Sequence, residues 1–107
     1  MPKSINGFVT KFDRDLHFDS HASEFSPPFA SEEEYEAAAI AFLEKHLAAG
    51  MMEGLRIRDG ATIRYDPGIN EFAICDDSGA VTTYFKPDPA IHKQGDNVAY
   101  FRSRLER

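Results

Sequence analysis

The sequence predicts a single α+β domain, with two N-terminal helices packed on a small antiparallel β-meander. Three observations carry that expectation. Apolar residues between Ser31 and Gly50 recur with a helical period. Between Ala61 and Pro87 three short alternating runs are joined by two turn signals, Asp66-Pro67-Gly68 and Asp76-Asp77-Ser78-Gly79. The chain has 107 residues, room for one domain only. With 42% hydrophobic residues, nine Phe and four Tyr it can bury a core without staples.

Residues 1–10 read as a lead-in, either briefly ordered or flexible. Thr10 can cap a first helix, with Asp13 at the third position beyond it. Phe12 and Leu16 mark a narrow apolar side, and His17 and His21 share a face. Ser26-Pro27-Pro28 cannot continue a helix, so this one stops near Phe25. Ser31-Glu32-Glu33-Glu34 is a capping box whose carboxylates suit the positive end of the helix dipole. Tyr35, Ala38, Ala39, Phe42, Leu43 and Leu47 form the buried stripe of a second helix, with Lys45 and His46 in its last turns and Gly50 closing it. The helices thus fall within residues 11–50.

The predicted sheet occupies residues 55–87. After a connector over Met51–Gly54, Leu55–Arg58 alternates as a first strand and Asp59-Gly60 turns the chain. Ala61–Asp66 places Ile63 and Tyr65 on one face and Thr62, Arg64 and Asp66 on the other. Glu71–Cys75 follows, then Ala80–Lys86, where strict alternation sets Val81, Thr83 and Phe85 against Thr82, Tyr84 and Lys86. Pro87–Asn97 reads as a polar loop. The C-terminal element, residues 98–107, contains VAYFRSRL, a short strand or a terminal helix, with helix preferred and Tyr100 and Phe101 docking it on the body.

Composition excludes several classes. Cys75 is the only cysteine, so no intramolecular disulfide forms, and its apolar run marks a buried thiol. No apolar run approaches the ~18 residues of a membrane span, and MPKSINGF lacks the apolar stretch of a secretory signal. The net charge of −6 argues against loose, field-driven binding to nucleic acid but permits a local basic site. No phosphate-cradling glycine loop or nucleophile elbow is present.

The chemistry-bearing candidates are few. His17 and His21, four apart, can act as general acid and base; their plainer reading is two half-exposed histidines on an amphipathic helix. No Cys/His cluster supplies a further metal ligand, so neither metal nor cofactor is expected. Arg64, inside a strand, suits a phosphate, or else pairs with Asp66 or Glu71 across the sheet. Lys86, Thr82 and Thr83 can contact a phosphate; threonine is equally a good strand former. Tyr84 and Tyr100 can stack on a base, with core packing the competing role of Tyr100. His46 and His92 read as surface residues.

Five segments in order give a resemblance. His17-Phe18-x-x-His21-x-x-Glu24-Phe25 is similar to HFxxHxxEFG. The Ser31 helix with EEYEAAAIAF comes next. Ile63-Arg64-Tyr65-Asp66-Pro67 before Asn70-Glu71-Phe72 is similar to RYDPxTNEF. Gly79-x-Val81-x-Thr83-x-Phe85-Lys86-Pro87 is similar to GxIRTxFKP, and Tyr100-Phe101 is the closing aromatic pair. Over Phe12–Phe101 the chain resembles the C-terminal RNase domains of bacterial polymorphic and contact-dependent growth-inhibition toxins, in the barnase–colicin–RelE-like superfamily. It departs at Ser26, Ile69 and Thr82, the last standing where Arg or Lys is common.

The resemblance implies a barnase/RelE-like fold and a metal-independent endoribonuclease toxin that cleaves tRNA. Attack by the 2′-OH would leave a 2′,3′-cyclic phosphate and a 5′-hydroxyl. In this reading His17 and His21 supply acid and base, Arg64, Thr83 and Lys86 stabilise the phosphate, and Thr82, Tyr84 and Tyr100 hold substrate. Thr83 needs a twist or bulge to reach the side of Lys86. Implied partners are RNA and a cognate immunity or antitoxin protein, with no membrane. Implied location is the bacterial cytoplasm, reached from another cell inside a larger secreted protein or occupied by a freestanding relative. The alternative is a catalytically inactive interaction module of the same fold.

Overall fold

In a computed structural model that describes residues 4–106, the chain forms an α+β domain with a five-stranded mixed sheet, ordered β1-β5-β4-β3-β2. The elements are β1 (Gly7–Phe8), α1 (Lys11–His21), α2 (Glu32–Glu44), β2 (Met52–Leu55), β3 (Thr62–Asp66), β4 (Glu71–Cys75), β5 (Ala80–Phe85), α3 (Pro89–His92) and α4 (Asn97–Leu105). Strands β2 to β5 run antiparallel in sequence order, as expected of a meander. The fully antiparallel expectation is corrected by β1, which pairs parallel to β5 with Gly7 opposite Ala80 and Phe8 opposite Val81.

The lead-in therefore joins the sheet at Gly7–Phe8; the portion on Met1–Lys3 lies outside the described residues. Gly79, at φ +94°, makes this possible. A Cβ there would lie 2.2 Å from the Ser4 carbonyl oxygen. Asn6 N–H donates to the Gly79 carbonyl at 2.9 Å. Carboxylates of α2 accept two further N–H groups of this segment: Ile5 to Glu44 and Phe8 to Glu36, both at 3.0 Å.

Both helix starts follow the sequence. Thr10 Oγ1 accepts from Asp13 N–H at 3.0 Å, and Ser31 Oγ from Glu34 N–H at 3.2 Å. A 3₁₀ turn, Ala22–Glu24, follows α1. Helix α2 ends at Glu44, six residues before Gly50, and Leu47 is half exposed beyond it. The reason is Arg64, whose Nη1 donates to the carbonyls of Phe42 at 3.0 Å and Lys45 at 2.6 Å, taking the place of a glycine cap. The first meander strand lies earlier than Leu55–Arg58, because Gly54 sits under α4: a Cβ there would be 2.9 Å from Leu105 Cδ2. The loop after Pro87 holds the short α3, and the C-terminal element is helical.

Sheet alternation divides the core. Ala73, Cys75, Val81 and Tyr84 face Tyr35, Phe42 and Leu43 of α2, with Phe25 against them. Ile63, Tyr65, Phe72 and Ile74 face Phe101 of α4 on the opposite side. Strand β5 carries a bulge: Ile74 pairs with Thr83, but Cys75 pairs with Val81. Thr82 is the extra residue, so Val81 and Thr83 lie on opposite faces, which corrects the strict alternation expected of this strand.

Candidate functional site

Strand β1 covers only the Ala80–Val81 end of β5. Beyond it, the end of β5 is met by the turn that follows α1. Glu24, on that turn, accepts the Lys86 backbone N–H through Oε1 at 3.0 Å. Its other oxygen, Oε2, lies 2.9 Å from His21 Nδ1. The His21 ring packs 5.1 Å from the Phe85 ring. His21, Glu24, Phe85, Lys86, His92 and Tyr100 line a cavity of about 110 Å³. A neighbouring cavity of about 410 Å³ shares Glu24, Lys86 and Asp88 and adds Asn70 and Asn97.

The floor of this region is held by amides. Asn70, in the left-handed region at φ +54°, ends the tight turn between β3 and β4. Its Oδ1 accepts from Tyr65 OH at 2.9 Å and Asn97 Nδ2 at 3.0 Å. Both amides donate to the Pro87 carbonyl, at 3.2 Å from Asn70 and 3.1 Å from Asn97. The Tyr-Asp-Pro…Asn-Glu segment and the Phe-Lys-Pro segment thus meet at one carbonyl, which fixes the backbone beside Lys86.

The rings form a continuous path. Phe8 stacks on His17 at 5.5 Å, and His17 on His21 at 5.9 Å. Burial, and then the neighbouring His21, lower the His17 pKa below its ordinary 6.5. On the far wall His92 stacks on Tyr100 at 4.4 Å, and the Arg104 guanidinium lies 5.0 Å from that tyrosine ring. His92 Nδ1 accepts from Gln94 N–H at 3.0 Å, so Nε2 carries the proton and donates to Asn97 Oδ1 at 2.8 Å. His92 is therefore a half-buried wall residue, not the surface residue the sequence suggested. The Lys86 ammonium lies 5.5 Å from the Phe25 ring centre and takes part in none of the ion pairs among the described residues.

Of the residues singled out from sequence, His21, Lys86 and Tyr100 come together, with His17 stacked behind His21. The others do not join them. Arg64 is 5% exposed on the α2 side, bonded to the carbonyls of Phe42 in α2 and Lys45 just beyond it, and to Glu53 at 2.9 Å through Nε and 2.7 Å through Nη2. It pairs with neither Asp66 nor Glu71, and all three of its nitrogens are bonded within the fold. Tyr84 is 2% exposed, donates to Glu71 at 2.6 Å, and accepts the Tyr35 hydroxyl at its own carbonyl. Burial and the Glu71 contact hold its hydroxyl protonated. It has no face left for a base. Thr82 donates to the Ile74 carbonyl at 3.2 Å. Thr83 shares the Phe85 face, opposite Ile74, and lines neither cavity; the bulge does not turn it toward Lys86.

Glu24 and Asn70 were legible only as motif letters. A His-x-x-Glu spacing at a helix end is the signal that could have found the first, since residues three apart face each other on a helix.

Chemically, the arrangement offers one histidine with a carboxylate at Nδ1, one unpaired ammonium, and an aromatic wall. Among the described residues no three His, Cys, Asp or Glu side chains converge as a metal-binding group. No described helix is long and apolar enough to cross a membrane. A separate groove of about 520 Å³ lies between Leu55, Ile57, Arg58, Arg102 and Leu105 and contains none of these candidates. No protein-family model matches the chain, and no curated protein matches it.

Proposed function

We propose that the protein is a metal-independent endoribonuclease toxin of the barnase–colicin–RelE-like kind, acting on tRNA. The observation that carries the reading is the meeting of His21 and Lys86 at one cavity, from segments 65 residues apart. RNA cleavage by 2′-OH attack needs a base, an acid for the leaving 5′-oxygen, and a cation for the developing phosphate charge. His21 is the base at the cavity and takes the 2′-OH proton, and solvent water protonates the leaving 5′-oxygen. Lys86 stabilises the phosphate. Tyr100 and Phe85 form the apolar wall for a nucleoside. His17, stacked on His21 and disfavoured as a cation, keeps a second charge from accumulating beside it.

In this reading α1 and α2 with the β2–β5 meander form the RNase-toxin fold, and β1 is an addition to its edge. The protein acts in a bacterial cytoplasm and is restrained by an immunity or antitoxin protein. The test is incubation of the purified protein with total tRNA, with and without EDTA. Cleavage that survives EDTA, leaves 2′,3′-cyclic phosphate ends and vanishes in His21→Ala is the expected result. Absence of cleavage by the wild type, or equal cleavage by His21→Ala, sinks it.

One observation favours the second reading, an inactive interaction module. Arg64 is consumed structurally, and Lys86 shares its cavity with two carboxylates, Glu24 and Asp88. High-level expression without an inhibitor, together with no RNA cleavage, selects this reading.

A further inference from the structure

The geometry points to Glu24 as the positioning residue of the site, a carboxylate that fixes both the tautomer of His21 and the placement of Lys86. This rests on the nuclease reading for its kinetic consequence, but not for its structural one. Glu24 ends the 3₁₀ turn after α1 and is, among the described residues, the side chain bonded to both partners. Each of its oxygens serves one of them: Oε2 faces His21 Nδ1 at 2.9 Å and Oε1 accepts Lys86 N–H at 3.0 Å.

An ionised carboxylate only accepts hydrogen bonds, so His21 Nδ1 carries the proton. In the neutral ring Nε2 is then the bare nitrogen, and among the described residues it has no hydrogen-bond partner. A bare Nε2 is what a general base requires, and a carboxylate behind the ring also steadies the imidazolium formed after proton transfer. The second arm ties the backbone of Lys86 to the same carboxylate. Histidine and lysine are thus registered to one another across 65 residues of sequence, in a region where β1 no longer covers β5.

Substitutions separate the two arms. Glu24→Gln keeps an acceptor oxygen for the Lys86 N–H, but the amide that replaces its second oxygen only donates, so a neutral His21 facing it accepts at Nδ1 and carries its proton on Nε2. Glu24→Asp is one methylene shorter and reaches neither well. Glu24→Ala removes both arms from an exposed turn residue, and the fold should survive it.

The test is nitrogen-15 NMR of the imidazole side chains of the full chain at pH 8.5, where an unperturbed imidazole is neutral. The wild type should show His21 with a protonated Nδ1 and a bare Nε2. Glu24→Ala should lose that preference, while His92, held by Gln94 and Asn97, keeps its own Nε2–H form. In kinetics, Glu24→Ala should lower kcat for tRNA cleavage about 100-fold with little change in KM, and Glu24→Gln, which favours a proton on Nε2, should recover none of the loss. A wild-type His21 with its proton on Nε2, or an unchanged tautomer in Glu24→Ala, overturns the inference. A wild type with the expected tautomer that cleaves no RNA supports the positioning role and overturns the nuclease reading instead.

Discussion

Arg64 and Lys86 are the two cations that stand within or at the end of the inner strands, and the fold uses them in opposite ways. Arg64 points to the α2 side, where the Phe42 and Lys45 carbonyls and Glu53 accept from all three of its nitrogens. Lys86 follows β5 where the neighbouring strand has stopped, and its ammonium meets an aromatic ring and a cavity instead of an ion-pairing carboxylate. The difference teaches that a strand cation is not a phosphate ligand by type or position. What decides is whether the surrounding backbone leaves acceptors for it to satisfy. Near Arg64 the uncapped end of α2 does; near Lys86 the Asn70 and Asn97 amides have already taken the Pro87 carbonyl.

Four measurements can break or sharpen that contrast. The largest effect is expected from Arg64→Ala, which uncaps α2 and leaves Glu53 without its partner. It should cost about 3 kcal/mol of stability in urea unfolding. A loss under about 1 kcal/mol would mean the network is not holding the helix. Lys86→Ala comes next and should act on function alone: stability within about 1 kcal/mol of wild type, RNA cleavage down about 100-fold, equivalent to about 2.7 kcal/mol. An unfolded Lys86→Ala, or one with full activity, reverses the assignment.

Salt should then have a small effect. With Lys86 the single cation at the phosphate, kcat/KM should fall only about threefold between 50 and 200 mM salt. A steep dependence would reveal further cationic contacts. The smallest effect is in pH. His17 has its folded-state pKa lowered from 6.5, so the unfolded chain takes up the proton first. Its contribution to stability is complete above pH 6.5 and is lost as pH falls through the folded value. His17→Phe should lose less stability than wild type between pH 7.5 and 5.0; equal losses refute the assignment.

The strands and helix starts were legible because they rest on local signals. Thr10, Ser31 and the Asp76–Gly79 turn act within a few residues, and Glu71–Cys75 is a short apolar run bounded by two turns. What escaped the sequence depends on distant partners. Strand β1 is two residues long and exists through Ala80 and Val81, more than seventy positions away. The end of α2 is set by Arg64, and the start of the meander by Leu105 over Gly54. The bulge at Thr82 carries no glycine to announce it.

The candidate site divides the same way. His21 and Lys86 were identifiable as chemistry, but their companions Glu24, His92 and Asn70 matter through where the chain returns. Arg64 and Tyr84 were misjudged for one reason: a polar side chain in a strand was read as facing solvent or ligand, whereas both are buried with internal partners.

The contrast between the two cations is tested most directly by binding without cleavage. A short 2′-O-methyl RNA, which lacks the attacking hydroxyl, can be titrated into the nitrogen-15-labelled protein while amide shifts are followed. The predicted result is a cluster of changes at His21, Glu24, Lys86, His92 and Tyr100, with Arg64, Phe42 and Lys45 unmoved. Changes centred on Arg64 or on the Leu55–Ile57 groove, or no changes at saturating RNA, would contradict it.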